Sequence, residues 1–170
     1  MSGIVNTVGS KSGAIGIIPG SCAFKASHGV DQGWQAHSEN ANILFNDVSH
    51  AASGNFDSDS CYNTSTSGTT PCSFVAPATG IYLFGMVMYT GQNDTSNGYN
   101  FVLNVSGTDY DIKGSGATTG MYSARAEADD AIMTYTSVIQ MSSSDSIRIQ
   151  SWSTSDLYSG HSHWWGVRLS

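Results

Sequence analysis

Leucine and glutamate are nearly missing from this chain. Its 170 residues include five Leu, two Glu and only six Lys and Arg together. Helices are built largely from such residues, so a helical bundle or a coiled coil is excluded and a doubly wound α/β fold is disfavoured. The basic residues (Lys11, Lys25, Lys113, Arg125, Arg148, Arg168) are scattered, and the net charge is −7. That leaves too little positive charge to displace counterions from a nucleic acid or to hold an anionic membrane. The longest apolar run, Ile81 to Tyr89, is broken by Gly85. It falls well short of the roughly 20 residues that a membrane-spanning helix needs. No basic stretch followed by an apolar one opens the sequence, so a secretory signal is not expected. The sequons at Asn63, Asn93 and Asn104 then read as chance in a Ser/Thr-rich chain. Cysteine is scarce too: Cys22, Cys61 and Cys72, with no C-x-x-C pair and hence no zinc ribbon. An odd count argues against a disulfide framework. Cys61 and Cys72 bracket a polar loop whose hairpin would bring them together. The alternative is two ordinary thiols, one of them buried, as suits a reducing cytoplasm.

What the chain has instead is Ser (28), Gly (19) and Thr (14), with aromatics at 11%. That composition favours strands and turns. Residues 1–20 stand apart: they are Gly-rich and lack aromatics, yet carry apolar residues in small groups (Ile4, Val5, Val8, Ile15, Ile17, Ile18). Such a segment gains little by folding alone, so we expect an extended arm that docks on a partner. Residues 21–170 form the head. Strands are expected over Cys22–Ala26, Asn42–Val48, Cys72–Ala76, Ile81–Thr90, Tyr99–Val105, Thr108–Ile112, Ala131–Met141, Ile147–Trp152 and His163–Leu169. Ala124–Asp130 reads as a loop or a single helical turn. In the strand after Gly80, Tyr82, Phe84, Met86 and Met88 lie on one face by period two. Ile81, Leu83, Val87 and Tyr89 lie on the other, so both faces are apolar. About eight to ten short strands in one domain imply an all-β sandwich, with a jelly roll favoured.

Several segments in order resemble the globular C1q/tumour-necrosis-factor-like jelly roll. Phe74-Val-Ala-Pro77-Ala-Thr-Gly80-Ile-Tyr82-Leu-Phe84 resembles the signature F-x-x-P-x-x-G-x-Y-x-F at every fixed position. Ala23-Phe24-Lys-Ala26, Leu44-Phe45-Asn46-Asp-Val48, Asn55-Phe56-Asp57 and Leu103-Asn104-Val-Ser-Gly107 resemble other stretches of that family. Ser137-Val-Ile139-Gln-Met141 with Asp145-Ser-Ile147 resembles its late strand, turn and strand, with Ser144 where the turn usually has Gly. Trp164-Trp-Gly166-Val-Arg-Leu169 resembles the closing strand, with Trp for Phe. The Cys61–Cys72 loop looks like an insertion. The resemblance implies a homotrimer, with Tyr82, Phe84, Met86, Val87, Tyr89, Trp164 and Trp165 in its core and interface. A doubly apolar strand agrees, since a lone sandwich would not need one. Residues 2–16 resemble the leader of structural proteins in tailed phages, notably marine ones. That implies a virion surface protein assembled in the host cytoplasm. It would dock by its arm to a capsid or tail protein and possess an exposed head able to adhere to a host-surface glycan. A capsid decoration or head-fibre protein is the first expectation and a tail-fibre tip or receptor-binding protein the second. A secreted C1q-like lectin or ligand is the alternative.

No catalytic constellation stands out. Gly160-His-Ser162-His-Trp164 lacks the closing Gly of a nucleophile elbow, and Gly114–Gly120 lacks a βαβ unit around it. We expect no enzyme and no obligate cofactor. His161 and His163, two apart on a strand, would share a face. On a threefold axis, three copies would supply an octahedral transition-metal site; the alternative is two surface histidines beside Trp164. Calcium in loops through Asp94, Asp129 and Asp130 is a further candidate. Tyr122, Trp152 and Tyr158 are candidates for stacking on sugars.

Overall fold

A computed structural model describes residues 22–29, 33–49, 54–68, 70–91, 98–112, 121–122, 130–151 and 155–170. The arm residues Ile4, Val5, Val8, Ile15, Ile17 and Ile18 lie outside that set, as does all of Ala124–Asp130 except its last residue. The strands in chain order are β1 (Ala23–Ser27), β2 (Trp34–His37), β3 (Phe56–Asp57), β4 (Tyr62–Asn63), β5 (Ser73–Val75) and β6 (Gly80–Gly91). They continue with β7 (Gly98–Val105), β8 (Thr108–Ile112), β9 (Met121–Tyr122), β10 (Asp130–Met141), β11 (Ser146–Ser151), β12 (Ser155–Tyr158) and β13 (His163–Arg168). No helix occurs among the described residues.

Two antiparallel sheets result. In the first, β6 is central: β10 runs along its whole length, and β13, β1 and β3 follow on the other side. At the far end of β6, Thr90 pairs with Leu157 of β12, and β12 carries β2. The second sheet runs β4-β5-β11-β7-β8, with β9 also on β7. The chain turns from β7 into β8 through Ser106 (φ 51°) and Gly107 (φ 88°). Both residues take the left-handed conformation of a two-residue hairpin whose twist matches its strands.

The alternation in β6 sorts its side chains as the sequence implies. Tyr82, Phe84, Met86 and Met88 are buried between the sheets. They face Ile139, Ser137, Tyr135 and Met133 of β10 in register. Phe74, Phe101, Ile147 and Ile149 close the core from the second sheet. Full burial of each such large apolar side chain contributes about 1.5–3 kcal/mol. Trp164 sits at the centre, 0% exposed, with Phe24 edge-on at 4.6 Å and Tyr62 edge-on at 5.6 Å. Its indole Nε1 donates to the Tyr62 hydroxyl at 3.0 Å. The one proton of that hydroxyl is shared between the carbonyls of Phe45 (2.7 Å) and Cys72 (2.9 Å). Gly166 pairs with both Phe24 and Phe84, and a Cβ there would meet the Phe24 ring at 2.7 Å. Glycine is therefore required by close approach.

Two expectations are corrected, the Asn42–Val48 strand and the reading against a disulfide. Asn42–Val48 is not a strand: its Phe45 and Asn46 amides fold back to Ile43 and Leu44 carbonyls two residues before them. Only isolated bridges join Asn42 to Gln150 and Asp47 to Ser27. The segment still buries Ile43 and Phe45. The Cys61–Cys72 segment is the β4–β5 hairpin, yet those two cysteines do not pair. Cys22, just ahead of β1, is disulfide-bonded to Cys61, and Cys72 is a free, buried thiol.

Candidate functional site

The outward face of the first sheet is where the site expectations converge, and the structure divides them. Tyr82, Phe84, Met86 and Trp164 point into the core, whereas Val87, Tyr89 and Trp165 lie on the outward face and are half-buried. The registers place this face in rows. Val138 of β10, Leu83 of β6, Val167 of β13 and Ala23 of β1 form one row. Thr136, Gly85, Trp165 and Lys25 form the next, and Ile132 lies beside Tyr89 at one end. A Cβ on Gly85 would collide with the Trp165 ring, so that indole lies flat across β6. Ile132 is 67% exposed and Val138 63%, beside Ile81 at 43%. Their β10 positions alternate with the inward Met133 and Ile139, so period two could have identified them.

At the far end of this face four rings meet. Trp34 of β2 stacks on Tyr89 (5.7 Å between centroids), and Tyr158 of β12 stands edge-on to both at 5.1 and 5.6 Å. His161 packs on Tyr158 at 4.9 Å and on Tyr89 at 5.4 Å. Trp34 remains 45% exposed. Its strand is only four residues long, Trp34-Gln-Ala-His37, too short a run for alternation to identify it.

His161 and His163 do not share a strand. His161 lies in the turn between β12 and β13, and His163 is the first residue of β13. Both nonetheless lie toward the outward face, His161 against the Tyr89 ring and His163 paired with Val87. Burial holds the His163 imidazole below its usual range, and the charge of Lys25 pushes it the same way. Ser162, between them, is buried; its hydroxyl donates to the Tyr158 carbonyl and accepts the Tyr89 amide, both at 3.0 Å. It pins the turn to β6 and is not poised as a nucleophile. Asp94, Asp129, Trp152 and the side chains of Tyr122 and Asp130 lie outside the described residues. Among the described residues no group of three or more His, Cys, Asp or Glu side chains comes together that could hold a metal ion.

The other polar feature is structural. Arg148, 4% exposed, reaches from β11 to Asp109 of β8 through two bonds (3.1 and 2.6 Å) and to Asn42 at 2.8 Å. The hydrogen bond from Arg148 holds the Asp109 carboxyl below its ordinary range.

No family model and no curated protein sequence matches the chain. Solved structures do match its fold. Murine APRIL superposes with a TM-score of 0.60 at 11% identity, covering 88% of this chain and 99% of that one. The globular domain of zebrafish complement 1qA gives 0.59 at 12% identity, covering 88% and 98%. Eiger TNF from S. frugiperda gives 0.59 at 9% identity, covering 88% and 93%. At such identities the likeness concerns the fold alone: an all-β, two-sheet jelly roll of the C1q and TNF kind.

Proposed function

We propose that the chain is a self-associating jelly-roll module that works as a homotrimer, with the outward face of its first sheet as the seam. The observation that carries this reading is the wet apolar surface: Val138, 63% exposed, shares a row with Leu83 and Val167 next to Trp165, and Ile132, 67% exposed, lies beside Tyr89 at one end of the same face. A contiguous patch of that kind is uncommon on a monomer and usual at an interface. The work is adhesive and mechanical, not catalytic. Mass measurement in solution should give three times 17.9 kDa, and Leu83→Asp with Val138→Asp should give a folded monomer. A wild-type monomer would refute the proposal.

The finer reading places the trimer on a tailed-phage particle. It would be a capsid decoration or head-fibre protein, or a tail-fibre tip, docked by residues 1–20 to a capsid or tail protein. Its support is the leader resemblance of residues 2–16, and the test is removal of residues 1–20. Particle attachment should be lost while the trimer persists; a truncated head that still decorates particles would sink it. The Cys22–Cys61 bridge favours a second reading, a secreted C1q-like ligand, because disulfides persist in oxidising compartments. The exposed Trp34 ring is the surface best suited to a glycan in either case.

A further inference from the structure

Where β1 ends, two histidines meet away from the outward face and its ring cluster. His28 follows Ser27 and is 7% exposed. His37 ends β2, on the side opposite Trp34 and Ala36. Their rings lie 5.1 Å apart and nearly perpendicular, at 86°. His28 Nδ1 and His37 Nε2 are both buried, and neither has a hydrogen-bond partner. A buried imidazole nitrogen without a partner is costly, and two side by side call for an explanation.

We propose that His28 and His37 form a two-imidazole site for a borderline divalent transition metal, zinc first, with the remaining positions filled by water. The spacing fits. A zinc–nitrogen bond of about 2.0–2.1 Å puts each ring centroid roughly 3.2 Å from the ion, and a tetrahedral angle then separates the centroids by about 5.2 Å. The protonation state fits as well. Burial, then the charge of His37, lowers the His28 imidazole to about 4, and burial lowers His37 against the pull of Asp156. Both rings are thus neutral ligands at neutral pH. Because no third His, Cys, Asp or Glu joins them among the described residues, the site is a clip and not a closed cage. What it would clip is clear from the topology. Among the described residues β2 pairs with β12 alone, and β12 pairs with the body of the sheet only at Thr90, the rings of Trp34 and Tyr158 otherwise resting on Tyr89. An ion shared by His28 and His37 would tie this outlying pair to the end of β1.

The test uses the full chain, stripped with a chelator and titrated with Zn²⁺ and then Co²⁺. One ion per chain should bind and raise the melting temperature, and Co²⁺ should show the intense visible bands of a tetrahedral site. His28→Gln and His37→Gln should each weaken binding by about tenfold or more, while the His161→Ala, His163→Ala double variant should bind as wild type does. Binding that survives both Gln variants, or that vanishes with His161 and His163, overturns the proposal. So does a wild-type chain with no metal-dependent shift. If the Gln variants do not fold, the imidazole NMR signals of the wild type decide. Zn²⁺ should move those of His28 and His37 together, and movement of His161 and His163 alone would overturn the site.

Discussion

Reduction of the Cys22–Cys61 bridge is the perturbation whose size follows most directly from the structure. The bond closes a loop with a sequence separation of 39. For a loop of that length the chain-entropy relation gives about 13 cal/mol/K of unfolded-state entropy removed, or about 4 kcal/mol at 25 °C. Reduction leaves two thiols in almost the same buried volume, so the native packing changes little. With a urea slope of about 2 kcal/mol/M, the unfolding midpoint should fall by about 2 M on reduction. The assay is urea unfolding of oxidised and reduced protein at one chain concentration, since association would otherwise shift the midpoint. A non-reduced digest supplies the chemical control, in which Cys22 and Cys61 peptides should migrate as one species. Equal midpoints before and after reduction would refute the reasoning, as would a linked Cys61–Cys72 peptide.

Three other perturbations have expected outcomes. Tyr62→Phe removes the acceptor of the Trp164 indole and the one proton shared by two buried carbonyls, and should cost about 2–3 kcal/mol in the same unfolding assay. Ser144 takes a φ of 75° in the turn between β10 and β11, so Ser144→Gly should raise stability by up to about 1 kcal/mol, read as a higher melting temperature. The Cys72 thiol is buried and pushed up to about 12 by that burial. Its thiolate is then about a thousandfold scarcer than that of an ordinary cysteine, so iodoacetamide should label it only after unfolding. Rapid labelling of the native protein would contradict this.

The parts legible in the sequence are those where one local rule suffices. The two faces of β6 followed from period two, and the β7–β8 hairpin from the Ser106-Gly107 turn after the Tyr99–Val105 strand. The turn before β11 was legible from its Ser142-Ser-Ser-Asp145 run, even with Ser144 where Gly is usual, and in the fold Asp145 closes it by accepting the Ser142 amide at 2.7 Å. What was not legible depends on distant partners. β2 and β12 are four residues each and exist because they pair with one another across more than a hundred positions of chain. The sequence distance between Cys61 and Cys72 suggested neighbours, but the hairpin register sets Tyr62 against Phe74 and leaves Cys61 facing Cys22. The Ile43–Phe45 stretch looked like a strand because its side chains are core side chains, while its backbone bends. His28 and His37 carry no spacing that announces them; only the return of β2 beside the end of β1 brings their rings together.

The bond from the Trp164 indole to the Tyr62 hydroxyl spans the sandwich, since Trp164 belongs to β13 in one sheet and Tyr62 to β4 in the other. Oily surfaces tolerate sliding: two greasy layers shifted by an ångström lose little. A directional donor–acceptor pair in a dry interior does not, because the same shift strands both partners. With the Cys22–Cys61 bridge, which also joins the start of β1 to the start of β4, this link fixes the alignment of one layer over the other.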